Sequence, residues 1–223
     1  MGFRRAAVTY IIKGIVKCLC KVEKNEFASV LSRNGPVLVI FNHVNFLEIP
    51  IFLTESYPLP VSGLAKSESW KNPILAFLFN TFHVVPINRK GAFSDTFKQV
   101  RQAMDNGISI CIAPEGTRSK TSVLQRGKAG IVQLALDTNA SILPVAHHGG
   151  ESFWKNLRRF RRTPFHLETG RPFRIKYEGR PGRGEREEIL SEVMGQIARL
   201  LPAQMRGIYA QQAECECKYL DFI

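Results

Sequence analysis

The chain has 223 residues, and Lys+Arg 31 against Asp+Glu 19 gives a formal net charge of +12. Hydrophobic residues at 44% and charged residues at 22% exclude a disordered or fibrous chain, and Cys 5 is too few for a disulfide-built scaffold. The length favours one domain with a sizeable core, and the positive excess favours partners that carry phosphate: nucleic acid, anionic lipid or a phosphorylated cofactor.

The first predicted element is a cationic amphipathic helix. Val8, Ile11, Ile12, Ile15, Val16 and Leu19 form one helical stripe, with Lys13, Lys17 and Lys21 opposite. Such a helix can lie in the headgroup region of an anionic bilayer or pack on the domain's own core, and the two are not exclusive. Lys13 and Lys17 interrupt the apolar start, so a secretory leader is not expected. The longest uncharged stretch, Asn72 to Asn88, contains Pro73 and Pro86 and falls short of the roughly 18 apolar residues of a spanning helix. A cytosolic chain without a spanning segment is the expectation.

Short β-rich apolar runs then alternate with helical patterns, which is the signature of an α/β domain. Strands are predicted at Val37–Phe41, Val61–Ala65, His83–Ile87, Ile108–Ala113 and Ser141–Ala146. Phe165–Thr169 and Phe173–Tyr177, separated by Gly170-Arg171-Pro172, read as a late hairpin. Helices are predicted at Arg5–Val22, Ile49–Ser56, Trp70–Asn80, Ser94–Asn106, Lys128–Thr138 and Glu185–Leu200, with Asn106-Gly107 as a helix stop. Glu151 to Arg162, rich in Arg and aromatics, reads as a loop or a short exposed helix, and from Ala203 onward the pattern is weak.

Four segments carry residues suited to chemistry. In Asn42-His43-Val44-Asn45-Phe46-Leu47-Glu48, directly after a strand, His43 is matched to proton transfer near neutral pH. Glu48, across the strand-to-helix turn, reaches back to fix its tautomer. Taken alone, that spacing is weak and fits a structural His–Glu pair better. Pro114-Glu115-Gly116-Thr117-Arg118-Ser119, after the strand Ile108–Ala113, offers a Gly turn, a hydroxyl and a guanidinium. It reads as a phosphate cradle or an ordinary exposed turn. Arg89 ends the strand Val84-Val85-Pro86-Ile87, where α/β sheets bind ligands. Pro144, in Ile142-Leu143-Pro144-Val145, suggests an edge strand or a bulge. Cys18 and Cys20 with Cys215 and Cys217 make a four-thiolate site only if the chain ends meet, and His147-His148 has no carboxylate cluster beside it. No metal is expected.

Together these segments resemble the glycerolipid acyltransferase family, in particular the lysophosphatidic acid acyltransferases. The family's Asn-His-x4-Asp block, strand-end Arg, Pro-Glu-Gly-Thr-Arg-Ser block and Pro-containing strand appear in order as Asn42-His43…Glu48, Arg89, Pro114–Ser119 and Pro144. The departure is Glu48 where the family has Asp; the extra methylene requires either a displaced imidazole or a side chain that folds back. The resemblance implies a single α/β domain over 25–202, with a central mixed sheet flanked by helices as in glycerol-3-phosphate acyltransferases. It leaves an amphipathic helix over 1–24 as a membrane-surface anchor and a C-terminal tail over 203–223.

The implied reaction moves a fatty acyl group from acyl-CoA or acyl-carrier protein to the free hydroxyl of 1-acylglycerol 3-phosphate, giving phosphatidic acid without a cofactor. In it His43 is the base and Glu48 orients it. Arg89, Glu115, Gly116, Thr117 and Arg118 hold the acceptor, and Asn42 and Pro144 support the site. The implied location is cytoplasmic, on the inner face of an anionic membrane. The basic run from Lys155 to Arg186 suits CoA phosphates, an acidic carrier protein or anionic headgroups. Alternatives are another lysolipid or glycerol 3-phosphate as acceptor, a thioester hydrolase, and a basic nucleic-acid-binding domain. For the last, no helix-turn-helix, RNP or zinc-finger pattern is present, so nucleic acid is not an expected partner.

Overall fold

The computed structural model describes residues 2–24, 26–87 and 93–223. In chain order the helices are α1 (Phe3–Leu19), α2 (Phe27–Arg33), α3 (Glu48–Glu55), α4 (Pro73–Thr81), α5 (Phe93–Asp105), α6 (Gly130–Thr138), α7 (Phe153–Leu157) and α8 (Arg183–Leu200). The strands are β1 (Cys20–Lys24), β2 (Leu38–Phe41), β3 (Val61–Lys66), β4 (Val85–Ile87), β5 (Ser109–Ile112), β6 (Ile142–His148), β7 (Thr163–Thr169), β8 (Phe173–Ile175) and β9 (Leu220–Phe222). They form one mixed sheet in the order β1-β7-β6-β2-β5-β3-β4, with β8 joining β6 to β9.

The position of the site follows from the middle of that order. β2 lies between β6 and β5 and runs parallel to both, so all four of its residues are buried. A strand covered on both faces reads as a continuous apolar run rather than an alternation, which is what Leu38-Val39-Ile40-Phe41 shows. Alternate residues still serve opposite faces. Leu38 and Ile40 pack with Ile131, Leu190 and Val193 of α6 and α8, whereas Val39 and Phe41 pack with Phe27 of α2 and Phe52 of α3. Each of these buried Leu, Ile or Phe side chains contributes about 1.5–3 kcal/mol. Because β2, β5 and β3 are mutually parallel, their C-terminal ends open on the same side. The loops after Phe41, Ile112 and Lys66 therefore meet there.

Three sequence expectations are corrected. The first helix ends at Leu19, and Cys20–Lys24 is a strand paired parallel with β7; the β-branched and charged alternation of this short piece is hidden behind the helical lysine spacing. The apolar stripe of α1 also divides: Val16 is buried, Val8, Ile12 and Leu19 are half-buried, and Ile11 and Ile15 face outward. The late hairpin is not formed. β7 and β8 both pair antiparallel with β6, through Val145↔Thr169 and Ile142↔Phe173. They are consecutive pieces paired along the same side of β6, with one more residue than β6 between those two pairs, which is a bulge at Gly170-Arg171-Pro172. Gly170 N–H donates to Pro144 O at 2.9 Å, so the missing N–H of Pro144 faces that bulge. This is how a Pro sits in an interior strand.

The segment after Ala203 is ordered by tertiary contacts that its own sequence does not announce. Met205, Tyr209, Ala213 and Tyr219 join the core around α8, and β9 pairs with β8. α2 was likewise absent from the sequence expectations. α4 begins with Asn72 accepting from Ile74 N–H and Leu75 N–H, with Pro73 in the first turn. Its Ile74, Leu75 and Phe77 are exposed. Among the described residues no helix is long and apolar enough to cross a membrane.

Candidate active site

His43 follows β2 and Glu48 opens α3; the turn between them is closed by Asn45 Oδ1 accepting from Leu47 N–H at 2.8 Å. The turn brings Glu48 Oε2 to 2.6 Å from His43 Nδ1. An ionised carboxylate only accepts, so the hydrogen sits on Nδ1 and the Nε2 lone pair is left for a substrate. Glu48 Oε1 accepts from Val44 N–H at 2.5 Å and Asn45 N–H at 2.6 Å, and lies 3.2 Å from His147 Nε2. Burial by itself would raise this carboxyl, but hydrogen bonds from His147 and His43 outweigh it and hold Glu48 at about 2. It is therefore a carboxylate at every working pH.

The loop after β5 is tied to His43 through its backbone. His43 N–H donates to Glu115 Oε1 at 2.6 Å, and Ser119 N–H donates to His43 O at 2.7 Å. Glu115 Oε2 accepts from Gln125 N–H at 2.9 Å, and burial raises the carboxyl's affinity for a proton despite those hydrogen bonds. Both oxygens of this buried side chain are thus engaged by protein. Its expected place among the phosphate ligands is revised: Glu115 clamps the two loops together, and a carboxylate turned toward a phosphate would repel it. Gly116 sits at φ +69, the left-handed region that favours glycine. A Cβ there would lie 2.9 Å from Lys128 Nζ.

Two cavities meet at His43. One, of about 460 Å³, is lined by His43, Gly116, Thr117, Arg118, Lys66 and Ser69. The other, of about 490 Å³, is apolar and is lined by Ile12, Phe46, Leu53, Leu75, Leu78 and Phe82, with His43 and Arg118 at its boundary. The structure therefore brings together His43, Glu48, Glu115, Gly116, Thr117 and Arg118. Asn42 lies directly behind, its side chain bonded to the His147 backbone. Pro144 lies elsewhere, beside Gly170 and a separate cavity. Arg89 lies outside the described residues. Lys66 and Ser69 belong to no motif in the sequence, and their place at the C-terminal end of β3 is the signal for them. His147 reads from the sequence only as a metal candidate; the parallel register Phe41↔Val145 is what carries that residue next to the turn holding His43.

A carboxylate-backed imidazole thus stands at the junction of a cationic cleft and an apolar pocket, on the C-terminal edge of parallel strands. A family model described as Acyltransferase matches residues 21–148, and the chain belongs to that family. It is 28% identical over 130 residues to the 1-acyl-sn-glycerol-3-phosphate acyltransferase of Borreliella burgdorferi, covering 57% of this chain and 52% of that one. It is 29% identical over 157 residues to the enzyme of the same name from Cocos nucifera, covering 69% of this chain and 49% of the other. The chain thus spans about half the length of these curated relatives. The fold is that of the crystal structure of the 1-acyl-sn-glycerophosphate (LPA) acyltransferase PlsC from Thermotoga maritima. The two superpose with TM-score 0.59 at 21% identity over 86% of this chain and 81% of that one.

Proposed function

We propose that this chain is an O-acyltransferase that moves a fatty acyl group from a thioester, acyl-CoA or acyl-carrier protein, to the free hydroxyl of 1-acylglycerol 3-phosphate, forming phosphatidic acid. The observation that carries the reading is the placement of His43 Nε2, backed by Glu48, where the polar and apolar cavities join. The acyl chain occupies the apolar pocket and the glycerol phosphate the polar one. An alcohol's pKa lies far above 7, so its attack on the carbonyl needs a base that takes the proton as the C–O bond forms. His43 takes it on Nε2. The tetrahedral intermediate then collapses, the C–S bond breaks, and the imidazolium returns the proton to the leaving thiolate. Arg118, Thr117, the Gly116 turn and Lys66 hold the phosphate by charge-assisted hydrogen bonds. Arg89 is a further candidate ligand. Holding the hydroxyl against the carbonyl lowers the barrier by several kcal/mol more, on the order of 7–11 at best.

The reading extends to an anionic membrane surface on the cytoplasmic side. Ile11 and Ile15 of α1, Ile74 and Phe77 of α4, and Trp154 of α7 are exposed. α1 and α4 flank the apolar cavity through Ile12, Leu75 and Leu78, so a lipid chain would pass from bilayer to pocket without crossing water. Arg158, Arg159 and Arg161 beside Phe160 add headgroup attraction.

The test is thiol release from acyl-CoA with and without 1-acylglycerol 3-phosphate, for wild type and His43→Ala. Acceptor-dependent release that falls by at least about 10² in the variant is expected. Release indifferent to the acceptor would make the protein a thioester hydrolase, and a fully active His43→Ala would remove the imidazole from the reaction.

A further inference from the structure

A second histidine stands behind the first. His147, near the end of β6, is fully buried, with Nε2 2.7 Å from Asn42 O and 3.2 Å from Glu48 Oε1. A peptide carbonyl only accepts, so Nε2 carries the hydrogen and shares it with the Glu48 carboxylate. The ring has little freedom. Asn42 Nδ2 donates to His147 O and Asn42 Oδ1 accepts from His147 N–H, both at 2.9 Å. Phe165 stacks on the imidazole at 5.0 Å and 10°. Its Nδ1 is buried without a hydrogen-bond partner among the described residues. An unpaired buried nitrogen forfeits its hydration, and an apolar side chain in this slot would avoid that penalty. The ring therefore meets its surroundings through Nε2–H alone, as a donor to Asn42 O and Glu48 Oε1.

We infer that His147 is a positioning residue for the His43–Glu48 pair. The inference rests on the reading of His43 as the base. Oε1 of Glu48 is held by three donors, from Val44, Asn45 and His147, which leaves Oε2 to face His43 Nδ1. The carboxylate cannot turn without abandoning them, so His43 keeps Nδ1–H and presents Nε2. When His43 accepts the hydroxyl proton, the His147 hydrogen bond keeps Glu48 ionised, and the positive charge stays on His43. The titratable groups facing His147 are Glu48 and, beyond it, His43. His148, the next residue on the strand, points to the other face, where it stacks on His166 at 4.5 Å.

The inference is tested with His147→Phe, His147→Gln and His147→Asn, reading kcat, both KM values and the pH profile of kcat/KM. Loss of one hydrogen bond to a charged group predicts that His147→Phe lowers kcat by about tenfold, about 1.4 kcal/mol, with KM unchanged. The acid limb should move to higher pH, because a carboxylate with one donor fewer binds the His43 imidazolium more tightly. Gln places an N–H where Nε2 was and should retain most of the rate and the limb. Asn places it near Nδ1 and should not. Wild-type kcat and pH profile in His147→Phe, or equal losses in the Gln and Asn variants, would overturn the assignment. If the Phe variant does not fold, the Gln–Asn comparison decides alone. An active His43→Ala would refute the base reading itself, whereas an inactive His43→Ala beside an unimpaired His147→Phe would refute only this step.

Discussion

Replacing Glu48 by Gln separates two consequences of one buried carboxylate. In the wild type the group is held at about 2 against an ordinary 4.5. The unfolded chain thus binds its proton below roughly 4.5, while the folded chain resists protonation down to about 2. Ionised Glu48 therefore contributes stability that is complete above about pH 5 and drains as pH falls toward 2. The full contribution is roughly 3 kcal/mol at pH 7, with about 2 kcal/mol of it gone by pH 3. Gln keeps an acceptor for Val44 and Asn45 N–H but carries no charge, so it loses most of that contribution. Urea unfolding at pH 7 and pH 3 checks the sign: the gap between wild type and Glu48→Gln should be large at pH 7 and mostly closed at pH 3. Turnover should fall by about 10² or more, because a Gln N–H facing Nδ1 favours the tautomer with hydrogen on Nε2 and removes the base. A gap of equal size at both pH values would show that the carboxylate is not held by these hydrogen bonds.

Arg118→Ala should raise the KM for the phosphate-bearing acceptor by about tenfold or more while changing the thioester KM little, since a charge-assisted hydrogen bond to phosphate is lost; equal losses for both substrates would contradict the cradle. Gly116→Ala puts a Cβ at a left-handed φ beside Lys128, which costs about 1–2 kcal/mol and should lower the melting temperature by roughly 2–8 °C; an unchanged melting temperature would refute the strain. Ile74→Glu with Phe77→Glu, both on the exposed face of α4, should weaken binding to vesicles containing phosphatidylglycerol by at least tenfold at ~1.5 kcal/mol per lost side chain, with binding to a soluble short-chain substrate unaffected. Unaltered cosedimentation would remove α4 from the contact.

What the sequence made legible was local. The β2 and β5 runs are visible because strands covered on both faces need uninterrupted apolar residues, whereas the loops after them, each readable alone as a structural pair or an exposed turn, gain meaning only from the resemblance of their combined motifs to the glycerolipid acyltransferases. What stayed hidden depends on partners far along the chain. Glu115 looked like a ligand because nothing local says that its oxygens will be engaged by His43 and Gln125 N–H. Gly170-Arg171-Pro172 looked like a hairpin turn because turn and bulge draw on the same residues, and only the pairing of both flanks with β6 separates them. His147 was unreadable as a contributor, since its role exists only when β6 lies beside β2.

The Glu in place of Asp shows how those two levels meet. From the sequence, the added methylene required either a shifted imidazole or a folded-back side chain. The structure takes the second course. Glu48 stands at the first residue of α3 and curls back over the turn, so that one oxygen collects Val44 and Asn45 N–H while the other still reaches His43 Nδ1 at 2.6 Å. The extra length is absorbed by backbone donors that the turn itself supplies, and the curled carboxylate exposes its first oxygen to a further donor from β6. A carboxylate one carbon shorter, starting from the same helical position, would have to give up either the backbone N–H pair or the imidazole unless the turn tightened. The longer side chain and the buried histidine behind it are therefore best understood as parts of one arrangement, in which the turn after β2, the start of α3 and the end of β6 jointly set where the imidazole points.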